Sequence, residues 1–183
     1  MAQHTLIALL QDHAGVLHRT VTLLRRRGFN IASLAVGHSE TPGISRMTVV
    51  VDASDASQVV MQLDRLVEVI SVTDVTHAQA VQRETALAKI VSSPARLSEL
   101  VDIVAKYGAR VLDLSDGSLI VQITDTPERV EAFIAMIRAE GLSELMRTGR
   151  LAMMRGRSRK KLETTAHFRS QADGAPADDE VAA

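Results

Sequence analysis

The chain repeats itself, and that repeat limits the possible folds more than any single motif does. The stretch LHRTVTLLRRRGFNI, beginning at Leu17, aligns with LSELVDIVAKYGARV, beginning at Leu97, at a constant offset of 80. Leu17 meets Leu97, Val21 meets Val101, Leu24 meets Val104, Gly28 meets Gly108 and Ile31 meets Val111. Further on, Val60, Leu63 and Val67 meet Val130, Phe133 and Ile137 at an offset of 70. The ten residues lost between the two offsets fall in the middle of each copy. There the first copy carries the polar, Pro- and Gly-containing HSETPGI, and the second the short SDGS at 115–118, whose Asp-Gly suits a type I′ hairpin turn.

The pattern within the first copy names its elements. An apolar run at 5–11 reads as a strand. A helix is expected over 15–27, because Leu17, Val21 and Leu24 fall at i, i+4 and i+7 on one helical face. Arg25, Arg26 and Arg27 occupy its last turn, where cations suit the negative end of the helix dipole, and Gly28 ends it. Residues 30–37 and 45–52 are rich in apolar and β-branched types and read as strands. A second helix is expected over 56–66, with Val59, Val60, Leu63 and Leu66 inward, and 67–75 alternates like a half-buried strand. In the second copy Ser93-Pro94 and Thr126-Pro127 each offer a capping hydroxyl followed by proline in the first helical position, and Gly108 and Gly141 end the helices. A final strand or hairpin is expected over 144–154.

Two β-α-β-β-α-β runs in tandem predict an α+β chain of two ferredoxin-like units. Each packs two helices on one face of a four-stranded antiparallel sheet. The expected organisation is 1–78 for the first unit, 82–155 for the second and 156–183 for a disordered tail, since no apolar period follows Leu162. The strands RMTVVVD and SLIVQIT are apolar on both alternating sets, so both sheet faces should be covered. That points to dimerisation, by sheet packing or by edge pairing.

Composition removes several function classes. There is no cysteine, which excludes disulfides and thiolate chemistry. The formal net charge is -1, so overall charge gives no case for nucleic acid. Arg155, Arg157, Arg159, Lys160 and Lys161 do form a basic cluster, but no aromatics are interleaved for base stacking and the terminal ADDE offsets it. The six histidines are scattered, and His13 and His18 are five apart, which does not set them side by side on a helix; no metal site is expected. The N-terminus has no basic segment ahead of its short apolar run, and no stretch reaches the roughly 18 apolar residues that span a bilayer. A cytoplasmic protein without a membrane segment is expected.

The repeat also supplies an internal control for the turn Asp12-His13-Ala14-Gly15. The second copy makes the same strand-to-helix turn with Ser92, Ser93, Pro94 and Ala95, so the fold does not demand the glycine. A glycine there lets a ligand approach the backbone, and the free amides and dipole of a helix start favour a carboxylate. Asp12 is suited to an ammonium, so a free amino acid would satisfy both groups. On the residues alone, an ordinary acid beside a turn glycine stands equally well.

The segments LIALLQDHAGVLHRTVTLLRRRGFNIASLAVG, ISRMTVVVD, LDRLVEVISVTDV and RETALAKI resemble the small regulatory subunits of acetolactate synthase (acetohydroxyacid synthase), over about residues 5–156. The first unit resembles an ACT domain. The resemblance implies a subunit of branched-chain amino acid biosynthesis that is non-catalytic alone. It implies that the chain binds and activates a catalytic large subunit and confers feedback inhibition by valine, or by leucine or isoleucine. It implies a homodimer through the ACT domain, with thiamine diphosphate, Mg2+ and FAD on the large subunit and no cofactor on this chain. The implied effector-binding residues are Asp12, His13, Ala14, Gly15, Val16, Leu17, Asn30 and Ile31. Asp12 departs from the asparagine that many relatives carry there. An ACT sensor serving another enzyme, and a nucleic-acid-binding regulator using the basic cluster, are the alternatives.

Overall fold

The computed structural model describes residues 2–115 and 117–156. The expected disordered tail, all of the basic cluster except Arg155, and Asp116 of the short turn lie outside the described residues.

The first copy forms β1 (Ala2–Gln11), α1 (Val16–Arg26), β2 (Asn30–His38), β3 (Ile44–Ala53), α2 (Ala56–Leu63) and β4 (Val69–Asp74). Its strands pair in the order β2-β3-β1-β4, every neighbour antiparallel. The second copy forms β5 (Ala80–Val91), α3 (Pro94–Lys106), β6 (Arg110–Ser115), β7 (Ser118–Asp125), α4 (Pro127–Arg138) and β8 (Leu142–Arg147), ordered β6-β7-β5-β8. The two tandem α+β units are therefore present, and an additional strand, β9 (Leu151–Met154), pairs with Ala80–Arg83 at the start of β5. The expected terminal strand or hairpin is met by strands rather than a hairpin among the described residues: β8 and β9 both pair with β5, at different stretches of it.

Each unit has its own core under its helices. Leu6, Ala8 and Leu10 of β1 alternate inward with Met47, Val49 and Val51 of β3, and Leu24 of α1, Val59 and Leu63 of α2 close over them. Ala86, Ala88 and Ile90 of β5, with Leu119, Val121 and Ile123 of β7, meet Leu97, Leu100, Val104, Phe133 and Ile137 from the helices. Leu24 and Leu100 are fully buried, and truncating either to alanine costs on the order of 2–5 kcal/mol. The helix ends repeat in detail. Gly28 and Gly108 both take positive φ, and Phe29 N–H reaches Leu24 O just as Ala109 N–H reaches Val104 O, both at 3.1 Å.

Two expectations change. The buried stripe of α1 is Val16, Thr20 and Leu24, while Leu17 is 41% exposed. Thr20 is tolerated inside because its hydroxyl donates to Val16 O one turn back, at 2.9 Å. Second, part of the helix-free face of the first sheet is covered from within the chain. Ile7 and Val75 pack with Ala152, Ala80 and Met154 of the β5–β9 ribbon, and Arg46 Nη2 donates to Ala152 O at 3.3 Å. The helix-free face of the second sheet has no such cover among the described residues: Leu87 and Met146, paired across β5 and β8, are both exposed.

Candidate functional site at the start of the first helix

Residues 12–15 link β1 to α1 across the end of the first sheet. Asp12 N–H donates to Gly43 O at 2.8 Å, which ties this turn to the loop between β2 and β3. The Asp12 carboxylate is held on both oxygens. Ser45 Oγ donates to Oδ1 at 3.0 Å, and His38 Nδ1 lies 2.7 Å from Oδ2. These bonds, that of Ser45 foremost, hold the carboxyl below its ordinary range. The His13 ring lies 3.1 Å from Gln11 Oε1, and Ala14 is exposed.

Gly15 occupies the N-cap of α1 with φ +87°, and among the described residues no side chain caps this helix. The other three helices are capped: Asp55 accepts from Ser57 N–H, Ser93 from Arg96 N–H and Thr126 from Arg129 N–H. At α1 the Val16 amide makes only a long 3.4 Å bond to His13 O. Among the described residues the Leu17 and His18 amides have no backbone acceptor. A β-carbon built on Gly15 would find only Arg19 Nη2, at 4.0 Å, so the space before the helix is open. Arg19 leans over this opening, held by Glu68 at 3.0 Å, whose own carbonyl accepts from Gln11 N–H. Unused amides, the positive helix end and a guanidinium are groups whose chemistry suits an anion.

The structure brings Asp12, His13, Ala14, Gly15, Val16 and Leu17 together. Within that group Val16 is a core residue rather than a surface one. Asn30 and Ile31 are elsewhere. Asn30 starts β2, where its Nδ2 donates to Asp52 Oδ2 at 2.6 Å, and Ile31 packs on the first core. His38, at the Asp12 end, is eight residues along β2, roughly 25 Å away at strand rise. Sequence reasoning missed Arg19, His38 and Ser45. A signal existed for the last two, since they flank the loop that is longer in the first copy than in the second. Arg19 was legible as the residue one turn beyond Gly15.

The first unit, residues 6–71, matches the model described as the AHAS small subunit-like ACT domain, and residues 83–156 match that of the small subunit of acetolactate synthase. A probable acetolactate synthase small subunit of Archaeoglobus fulgidus is 42% identical over 156 residues, covering 84% of this chain and 98% of that protein. The chain belongs to the acetolactate synthase small-subunit family. The acetolactate synthase small subunit of Bacillus subtilis is 40% identical over 152 residues, covering 81% of this chain and 88% of the relative. The crystal structure of the Thermotoga maritima small subunit superposes with a TM-score of 0.79 at 35% identity, covering 86% of this chain and 99% of that one. Small-subunit membership thus rests on both units and on the order in which they are joined. No helix among the described residues is long and apolar enough to cross a membrane.

Proposed function

We propose that this chain is the regulatory subunit of acetolactate synthase. It binds and activates the catalytic large subunit and transmits feedback inhibition by a branched-chain amino acid, with valine the first candidate. The chemistry, with thiamine diphosphate, Mg2+ and FAD, belongs to the large subunit in the cytoplasm; this chain contributes binding energy and no catalytic group.

The observation that carries the reading is the start of α1, the one helix of the described four that a side chain leaves uncapped. The effector carboxylate takes the Leu17 and His18 amides, with Arg19 adding charge. Asp12, kept ionised by Ser45 and His38, faces the ammonium. Asn30 and Ile31 join through a second copy. β2 is an edge strand with one side unpaired, a ready template for pairing. Antiparallel pairing of two β2 strands about Leu34 sets Asn30 of one copy opposite His38 of the other, because 30 and 38 lie equally far from 34. The effector then bridges two protomers. It shifts the complex only by its difference in affinity between two states, typically about 1–3 kcal/mol.

The test is Gly15→Asp in the enzyme reconstituted with its large subunit. The new carboxylate occupies the anion receptor, so valine inhibition should disappear while activation is kept. Lost activation with normal inhibition would overturn the assignment.

A further inference from the structure

A second cleft, of about 440 Å3, lies between the two units and shares no lining residue with the site at the start of α1. One wall is Gln3 of β1 with Ala32, Ser33 and Leu34 of β2; the other is Glu84 of β5, Glu131 of α4 and the segment 147–150 between β8 and β9. Its charges are unevenly matched. Arg147 takes both carboxylates: Nε and Nη2 donate to Glu84 at 2.7 and 2.9 Å, and Nη1 to Glu131 at 2.8 Å. Arg150 is left with neutral partners. Its backbone N–H donates to Ser33 Oγ at 2.9 Å, its Nη2 to Gln3 Oε1 at 3.2 Å, and its Nη1 to Thr5 Oγ1 at 3.5 Å. Among the described residues no carboxylate lies within 4.0 Å of it.

We propose that this cleft is a second ligand site, for a small monocarboxylate anchored on the Arg150 guanidinium. A guanidinium carries five N–H donors in a planar fork that matches a carboxylate in bidentate fashion, and a half-buried one is unusual without such a partner. The two acceptors present take one donor each and leave the rest unspent. Beside the fork, β2 is bulged: the register passes from Ile31 opposite Val51 to Ser33 opposite Val50, so the main-chain groups of Ala32 fall out of the ladder and add polar contacts at the cleft. Leu34 and Val50 supply an apolar wall. The volume suits a ligand of a few heavy atoms with its water, at the small end of natural pockets. An α-oxo acid and an α-amino acid share the required carboxylate and a short apolar chain. A ligand here touches both units at once, so it fixes their relative position whether or not the Gly15 site is filled.

The experiment is thermal melting and calorimetric titration of the full chain with pyruvate, with valine and with chloride at matched ionic strength. The wild type is compared with Arg150→Gln, Arg150→Lys and Gly15→Asp. One carboxylate should stabilise the wild type and Gly15→Asp alike. Arg150→Gln should weaken it at least tenfold, and Arg150→Lys, which keeps the charge but loses the fork, by an intermediate factor. Arg150→Lys carries the test if Arg150→Gln does not fold. The response to pyruvate or to valine identifies which carboxylate is held. Three results overturn the proposal: an equal shift with chloride, no shift with either carboxylate, or a shift lost in Gly15→Asp and kept in the Arg150 variants. The last would leave the helix-start reading standing alone.

Discussion

Arg147→Met should unfold this protein more readily than the removal of any other ion-pair partner, and the reason is Glu84. Its side chain is almost wholly buried, with the residue 3% exposed, yet it sits on β5 beside a core of Ala86, Ala88 and Ile90. A buried carboxylate persists only when paired and hydrogen-bonded. Arg147 supplies both bonds from β8, two residues along from the register position opposite Glu84. The two carboxylates around Arg147, Glu84 foremost, in turn push its guanidinium further above an already high value.

Removing one member of a fully buried pair costs about 3–5 kcal/mol, because the other charge is stranded. Arg147 is itself 36% exposed, so water reaches the gap and the expected cost falls to about 2–3 kcal/mol. For a chain of this size that lowers Tm by roughly 4–12 °C. The control is Arg129, 59% exposed and paired with Asp125 at the end of β7, four residues before it, whose loss should cost no more than about 0.5 kcal/mol. The decisive variant is the double one, Glu84→Leu with Arg147→Met, which strands nothing and should recover most of the loss. Chemical denaturation of the four variants gives the coupling directly. If Arg147→Met costs under about 1 kcal/mol, or the double variant is worse than the sum of the singles, the pair is not the buried, interdependent unit described here.

Three further outcomes follow from individual side chains. Asp12 has a depressed carboxyl pKa in the fold, so its contribution is fully present above the unfolded value of 3.8 and is lost as pH falls through the lower folded value; the Tm gap between wild type and Asp12→Asn should close below that pH. Among the described residues both buried ring nitrogens of His4 lack a partner, so His4→Leu should raise stability by about 1 kcal/mol in urea melts; a loss of that size would show an unrecognised bond. Ser93→Ala removes the α3 cap and should cost about 1 kcal/mol, whereas Gly15→Ser, at positive φ, should fail to stabilise α1 despite adding a capping hydroxyl.

Most of the scaffold was legible because it is written twice. Glycine stops at Gly28 and Gly108, and proline starts at Pro94 and Pro127, are local signals, and the structure uses each as its chemistry requires. The face of α1 was misread by one position because a hydrophobic period gives no weight to threonine, and Thr20 is buried only by bonding to its own helix. The cover over β3 was expected from a partner because the contact pairs residues over a hundred positions apart, Arg46 with Ala152, which no local pattern reports. Asp12 and Gly15 stood out in the sequence; that His38 and Ser45 would engage the Asp12 carboxylate depends on the path of the β2–β3 loop.

The differences between the copies carry more functional information than their likeness. Three changes separate them: a glycine instead of a serine at the first helix start, a longer central loop, and a covered rather than open helix-free sheet face. They are physically linked. The long loop returns at Ser45, which bonds Asp12; the next residue, Arg46, points to the opposite face of β3 and holds Ala152 of β9. One strand therefore carries, on adjacent residues, the site at the helix start and the seam between the units. A ligand that orders Asp12 and its loop acts on a strand whose other face is already committed to the second unit. The open sheet face of that unit, with Leu87 and Met146 exposed, is then the surface on which a change in the seam would be felt by a partner. A duplicated unit without these three departures would retain the scaffold and lose the connection between its two halves.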